Sequence, residues 1–339
     1  MKTVTITGQQ GTSQILVGES FRNYRKYLPT NQVVVITDSR VNKLYGSHFA
    51  DYPIIEIGQG EKSKNLETVS AVIAKMLELK IDRKGFVLAV GGGIVTDVAG
   101  FVASIYQRGI GFGFVSGTLL SQVDASVGGK NGVNYEGFKN MVGTFNQPEF
   151  VICDPQMLAT LRPEQLDCGF AEIVKHTIIA DKPMFEYLEK NAEKALALDF
   201  DVIETLVDNS INIKAGIVNR DEKEHGERRK LNLGHTYGPA VEKVLGVSHG
   251  NAVSLGLVVS ARLSVKRGLL AQNDADRIVR LLKSLNLPTV INGDKQAIYS
   301  ALEMDKKREG SQINFVLING IGNAVVEKID IDELKQIEL

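Results

Sequence analysis

Gly85-Phe86-Val87-Leu88-Ala89-Val90-Gly91-Gly92-Gly93 is the stretch on which the fold turns. Phe86 to Val90 is unbroken apolar sequence, the composition of a strand buried on both faces of a parallel sheet. It runs directly into three glycines and then into an apolar helical stretch from about Thr96 to Ile105. On the N-terminal side, Gln32 to Thr37 is a short β-branched run closed by Asp38-Ser39, a turn and helix cap. Pro53 to Ile57 is another such run, stopped by Gly58. Between that strand and the glycine run, Asn65 to Leu79 carries Leu66, Val69, Val72, Ile73, Met76 and Leu77 at helical spacing. Strands interleaved with helices imply an α/β domain with a doubly wound parallel sheet, Rossmann-like in type.

Beyond about Pro163 the pattern becomes helical. Apolar stripes run over Phe170–Ile179, Met184–Leu198, Val202–Val218, Tyr237–Leu245, Ala252–Gly268 and Ala275–Leu285. The change falls near Asp154–Glu164, where Pro155 and Pro163 flank a short segment. The expectation is a nucleotide-binding α/β domain over 1–160 and an all-α domain over 161–339, with a ligand cleft between them.

Composition narrows the function. The chain has 339 residues, 43% hydrophobic and 23% charged, which argues against disorder. A net charge of −1 leaves no basic footprint for nucleic acid, though a local pocket for a small anion is compatible with it. Two cysteines, Cys153 and Cys168, exclude a disulfide framework and a cysteine-based zinc module. No run of ~18 apolar residues suggests a membrane span, and the opening MKTVTITGQQ lacks a signal-peptide core. The expectation is a cytoplasmic enzyme without nucleic-acid or membrane partners.

Gly91-Gly92-Gly93 admits two readings. Glycines at a strand-to-helix turn let backbone N–H groups approach a pyrophosphate at the positive helix end. They equally permit tight packing where a Cβ would collide. The run is not a G-x-G-x-x-G fingerprint, so an ordinary dinucleotide motif is excluded.

Of the five histidines, His235 and His249 each lie near the start of a predicted helix. Glu172 lies in Phe170-Ala171-Glu172-Ile173-Val174-Lys175-His176, a mostly apolar helix where an unpaired carboxylate is unfavourable. Two imidazoles and a carboxylate with an open fourth position are the donor set of a catalytic divalent metal of the zinc type. No compact motif such as H-E-x-x-H ties them together, so a surface or satisfied-core role stays open for each histidine. His176, one turn after Glu172, is a candidate fourth ligand.

Ser126-Val127-Gly128-Gly129-Lys130-Asn131-Gly132 and Gly137-Phe138-Lys139-Asn140 place lysines and amides on glycine-rich backbone. Flexible loops of this kind suit phosphate or polyhydroxylated anions, and solvated loops are the alternative. Arg228, Lys306 and Lys307 add cations. Lys175 and Lys214 interrupt apolar helical stripes, which makes them stronger functional candidates.

Gly91-Gly92-Gly93-Ile94-Val95-Thr96-Asp97, Tyr106-Gln107-Arg108-Gly109, Thr118 to Asp124, Ser126 to Lys130, Gly137 to Asn140, Ala171 to Lys175, Asp221-Glu222-Lys223-Glu224, Leu231 to Thr236, His249-Gly250 and Asp305-Lys306-Lys307 follow one order. Together these motifs resemble the 3-dehydroquinate synthase family of the sugar-phosphate cyclases, from about Gly60 to Val326. The resemblance implies a carbon–oxygen lyase of the shikimate route, converting 3-deoxy-D-arabino-heptulosonate 7-phosphate to 3-dehydroquinate and phosphate. It implies catalytic NAD⁺, Zn²⁺ or Co²⁺, and a homodimer. The implied course is transient oxidation at C5, phosphate elimination, reduction, ring opening and aldol closure.

Carried over by position, the resemblance implies Glu172, His235 and His249 as metal ligands. It implies catalytic roles for Asp124, Lys175, Lys214, Glu224, Arg228 and Asn232, and substrate contacts from Lys130, Asn140, Lys306 and Lys307. Arg108 would reach across a dimer interface. NAD⁺ would lie against Gly91, Gly92, Gly93, Ile94, Val95 and Asp97, with Glu61, Lys64, Thr118 and Lys139 nearby.

This chain also departs from the family. Pro239 stands where a second histidine usually follows His235, and it can neither move a proton nor donate a hydrogen bond. His249-Gly250-Asn251-Ala252 replaces His-Gly-Glu-Ala, and Ser116-Gly117-Thr118 replaces Pro-Thr-Thr. Three alternatives follow: another sugar-phosphate cyclase, a metal-dependent polyol dehydrogenase of the glycerol kind, and a catalytically dead NAD-binding scaffold. Lys214, Arg228 and Asn232 disfavour the first, since neutral sugars need no carboxylate contacts. The lysine–asparagine loops disfavour the second, and the retained Glu172, His235, His249 and Lys175 the third.

Overall fold

The computed structural model describes residues 1–9, 11–29, 32–303, 308–309, 312–335 and 337. The chain divides into two compact units, Met1–Leu161 and Arg162–Leu339.

In the first unit the order is β1 (Lys2–Gly8), β2 (Gly11–Val17), β3 (Val33–Asp38), α1 (Ser39–Tyr45), β4 (Ile54–Ile57), α2 (Leu66–Glu78), β5 (Phe86–Gly91) and α3 (Gly93–Ile105). It continues with β6 (Gly111–Ser116), β7 (Lys130–Tyr135), β8 (Phe138–Phe145) and β9 (Phe150–Cys153). Seven strands form one sheet in the order β1-β2-β9-β6-β5-β3-β4. All pairings from β2 to β4 are parallel, and β1 closes the edge antiparallel to β2. The apolar run Phe86–Val90 lies in the buried strand β5, inside this sheet between β6 and β3. Four other strands of the sheet supply Leu16, Val35, Val115 and Ile152 to one core with Leu88.

Local chemistry sets the helix starts. The Asp38 carboxylate accepts the Arg40 and Val41 N–H groups, and Asn65 Oδ1 accepts the Thr68 N–H at 2.8 Å. From β3 the chain first builds β4 on one side and then crosses to β5 on the other. The carboxyl ends of β3 and β5 therefore form a topological switch point, the usual ligand crevice of such sheets. Gly91-Gly92-Gly93 stands there.

In the second unit, α4 (Pro163–Ala180), α5 (Lys182–Leu196), α6 (Phe200–Arg220), α7 (Gly238–Leu245), α8 (His249–Lys266), α9 (Gln272–Ser284) and α10 (Lys295–Glu303) come first. The all-α expectation needs one amendment. β10 (Arg308–Glu309), β11 (Gln312–Ile318) and β12 (Ala324–Asp330) form an antiparallel sheet before α11 (Ile331–Lys335). Phe315 and Leu317 of β11 join Leu255, Val259 and Leu263 of α8 in one core, so tertiary burial stabilises strands too short to stand alone.

A second correction concerns the glycine-rich loops. Lys130–Tyr135 and Phe138–Phe145 pair as the β7–β8 hairpin. Gly132 and Gly143 face each other there, and a Cβ on either would meet the opposite backbone at 2.6 or 2.4 Å. Glycine serves close approach of strands here, where the sequence suggested flexibility. Among the described residues no helix is long and apolar enough to cross a membrane.

Candidate active site

Three side chains from three segments of the second unit meet. Glu172 comes from the buried middle of α4, His235 from the turn before α7, and His249 from the first position of α8. Glu172 Oε1 lies 3.3 Å from Nε2 of His235 and 3.3 Å from Nε2 of His249. The imidazole centroids are 5.4 Å apart.

Glycines let the segments come this close. A Cβ on Gly250 would stand 2.5 Å from Cys168 Cα in α4, and one on Gly256 would stand 2.1 Å from the Gly234 carbonyl oxygen. Gly234 itself has φ +78°, a turn conformation that glycine adopts without strain. Backbone thus packs against backbone on both sides of α8, which brings His249 to Glu172 and His235.

The donor chemistry fits a divalent cation. His235 Nδ1 lies 3.1 Å from the Leu233 carbonyl, which can only accept, so Nδ1 carries the proton. The neutral ring therefore aims an Nε2 lone pair at a carboxylate oxygen. His249 Nδ1 stands 3.8 Å from Glu242 Oε2, the outer carboxylate arrangement that orients metal-bound histidines. Lone pairs aimed at one another need a cation between them, and two nitrogens with one oxygen are a zinc-type set.

Charge around the three agrees. Burial would raise the Glu172 carboxyl, but Lys175 and then His235 outweigh it and hold it well below the usual carboxylate range. Lys175 is ion-paired to Glu172 from one turn along α4. Burial pushes His235 down, which keeps it neutral. Burial also opposes charge on His249, but Glu172 and Glu242 overcome it and push the ring up to about 9.

The other candidates of this unit sit on a shaped loop. Asp221 caps the end of α6, and its carboxylate accepts N–H groups from His225, Gly226 and Arg228 at 2.7–3.0 Å. That folds the loop so that Glu224, at φ +63°, accepts the Asn232 amide. Arg228 is buried and donates to the Glu222 carbonyl, and Lys214 is buried on α6. His176 is fully buried on α4, with a ring nitrogen within 4.8 Å of a Glu172 carboxylate oxygen, so it stays a candidate beside the first ligand. Pro239 is exposed on the first turn of α7, where proline is well tolerated. Lys306 and Lys307 lie outside the described residues.

In the first unit both readings of the glycine turn find support. Gly92 is the N-cap of α3 and, as glycine, offers no side chain to the first-turn amides, the groups an anion at this helix end would meet. A Cβ on Gly92 would also meet Thr118 at 2.9 Å, and one on Gly93 would meet Ala125 at 2.9 Å. Ile94 and Val95 lie in this first turn. Lys64 is ion-paired to Asp97 of α3, and its ammonium donates to Asn140 Oδ1 at 2.7 Å. Asn134 Nδ2 donates to Glu61 at 2.8 Å. Glu61, Lys64, Asp97 and Asn140 thus form one network. Lys130 and Lys139 are exposed on the hairpin. Asp124 sits in a π-helical turn, Ser121–Ala125, and Arg108 is exposed with φ +71°. The sequence pattern assigns no role to Asn134, Asp221 or Glu242. Of these, only Asp221 had a signal, its place at the head of Asp-Glu-Lys-Glu.

A doubly wound sheet with a glycine turn at its switch point, together with a helical unit carrying a carboxylate–imidazole triad, defines a metal- and nucleotide-dependent enzyme of the dehydroquinate synthase-like fold. The chain matches the family model "3-dehydroquinate synthase N-terminal" over residues 54–168 and "3-dehydroquinate synthase C-terminal" over residues 169–308. It is 43% identical over 300 residues to the 3-dehydroquinate synthase of Campylobacter curvus, covering 86% of this chain and 85% of that one. This chain belongs to the 3-dehydroquinate synthase family.

Two solved cyclases share the fold. A 2-deoxy-scyllo-inosose synthase complexed with carbaglucose-6-phosphate, NAD⁺ and Co²⁺ superposes with a TM-score of 0.88 at 25% identity, over 98% of both chains. The 2-epi-5-epi-valiolone synthase of Streptomyces hygroscopicus, with NAD⁺ and Zn²⁺ bound, gives 0.88 at 26% identity, over 97% of this chain and 96% of that one.

Proposed function

We propose that this chain converts 3-deoxy-D-arabino-heptulosonate 7-phosphate to 3-dehydroquinate and phosphate, using NAD⁺ and Zn²⁺ or Co²⁺. The observation that carries the proposal is the meeting of Glu172, His235 and His249 about one carboxylate oxygen, with Lys175 paired to the same carboxylate. The 43% identity to a 3-dehydroquinate synthase, against 25–26% to cyclases of other products, favours this substrate over a neutral sugar phosphate.

Bound between these ligands, the metal supplies Lewis acidity to a substrate hydroxyl, and NAD⁺ supplies a hydride acceptor restored within each turnover. The chain's own residues do the rest. Glu172, His235 and His249 hold the metal. Lys175 holds Glu172 ionised and offers its remaining donors to substrate oxygens. Arg228, Lys214 and Asn232 supply cationic and amide contacts to a carboxylate, and Glu224, paired to Asn232, moves a proton. Asp124 orients a substrate hydroxyl. Asn140 and Lys130, with Lys306 and Lys307, take the phosphate and hydroxyl groups. The α3 amides at Gly92–Val95, with Glu61, Lys64, Asp97, Thr118 and Lys139, hold NAD⁺. The working form is a cytoplasmic homodimer in which Arg108 serves the partner's site.

The test is turnover of the heptulosonate phosphate by purified protein with NAD⁺ and zinc or cobalt. Dehydroquinate and phosphate in equal amounts are expected. No turnover, with activity on a neutral sugar phosphate instead, would transfer the chain to another cyclase. Steady accumulation of NADH with glycerol would favour a dehydrogenase.

A further inference from the structure

The β7–β8 hairpin breaks register between the Val133–Val142 and Tyr135–Phe138 pairs, so that Asn134 alone stands opposite residues 139–141. A bulge of this kind removes ladder partners and re-aims side chains. Here the backbone of the bulge is turned further: Asn140 lies at φ +52°, a left-handed conformation uncommon outside glycine. Its N–H has no ladder carbonyl to meet, and the side chain of Asn134 takes it instead, Oδ1 accepting at 2.9 Å.

Asn134 is itself held from two directions. Its own N–H donates to the Lys64 carbonyl at 2.9 Å, and its Nδ2 donates to Glu61 at 2.8 Å. The Lys64 ammonium then returns to Asn140 Oδ1 at 2.7 Å. Asn140 is thus fixed at its backbone by Asn134 and at its side-chain oxygen by Lys64. Its Nδ2 is left as the directed end of the amide.

We propose that Asn134 is a positioning residue for the phosphorylated substrate, acting through Asn140 by holding its backbone in the left-handed bulge. This deepens the functional reading above and rests on Asn140 as a substrate contact. Asn134 does not touch substrate. Its role is to fix in advance where the Asn140 amide points, so that binding does not have to order the hairpin.

The test is a double-mutant cycle on the NAD⁺- and zinc-loaded enzyme. Asn134→Ala is expected to raise KM for the heptulosonate phosphate about ten-fold while kcat changes less than about two-fold. Zinc affinity, set by residues of the other unit, is expected to stay unchanged. In an Asn140→Ala background the same substitution should change KM less than about two-fold, because the residue through which it acts is gone. Asn134→Asp keeps the acceptor oxygen and should restore KM to within about three-fold of the parent.

Independent, multiplicative effects of the two alanine substitutions would overturn the proposal. So would an Asn134→Asp enzyme as impaired as Asn134→Ala, since the Glu61 contact would then be what counts. A parental KM in Asn140→Ala alone would remove Asn140 from the substrate site and this proposal with it, leaving the family activity standing.

Discussion

Lys175 is paired with Glu172 one turn away on the same helix, with side-chain exposures of 2% and 0%. Burying one charge beside another is favourable only while both are present. The pair therefore links the stability of α4 to the chemistry of its site.

Replacing Lys175 by Met should leave Glu172 buried without its nearest cation. Metal-free protein is expected to lose about 3 kcal/mol of stability, measured by urea unfolding. Saturating zinc should recover part of that loss, because a divalent cation neutralises the same carboxylate. Equal losses with and without zinc would show that Glu172 does not face the metal.

Glu172→Ala removes the oxygen that both imidazoles approach. Zinc affinity, followed by calorimetry, should fall at least about 100-fold, and metal-dependent turnover should vanish. Full activity in this variant would strike Glu172 from the ligand set.

Gly250→Ala tests how the ligands are brought together. The added Cβ would stand 2.5 Å from Cys168 Cα, so α8 has to move away from α4. Both zinc affinity and unfolding midpoint should drop, the first by about ten-fold or more. An unchanged affinity would show that His249 reaches the metal without that helix contact.

A pH test concerns the first unit. Burial would raise the Glu19 carboxyl, but hydrogen bonds from Tyr27, Asn23 and the Ser20 N–H hold it below the usual carboxylate range. A depressed carboxylate contributes stability above about pH 4.5, and that contribution is lost as pH falls through the folded value. Tyr27→Phe should therefore cost about 1–2 kcal/mol at neutral pH, narrowing as pH falls through the carboxylate range. A gap that stays constant across that range would contradict the assignment.

Much of the fold was legible because its signals are local. The apolar run at Phe86–Val90, the stripe over Asn65–Leu79 and the glycines at 91–93 each mark their own structure, and β5, α2 and the start of α3 stand there. Helix starts are less legible: the apolar stripes begin at Phe170 and Ala252, whereas α4 and α8 begin at Pro163 and His249, because a polar first turn carries no apolar stripe. The β7–β8 hairpin carries the local pattern of loops, since its glycines serve a partner strand that no local pattern reveals.

The alternation of strands and helices, the helical second half and the set of residue types able to hold a metal and an anion are all legible in the amino-acid order. These depend on periodicity and on the ordered motifs of a family. It takes the folded chain to bring Glu172, His235 and His249 to one point, to set Lys175 against the first, and to pin Asn140 by Asn134. Side chains as far apart in sequence as Glu172 and His249 meet only because glycines let whole helices touch, and that contact exists in three dimensions alone.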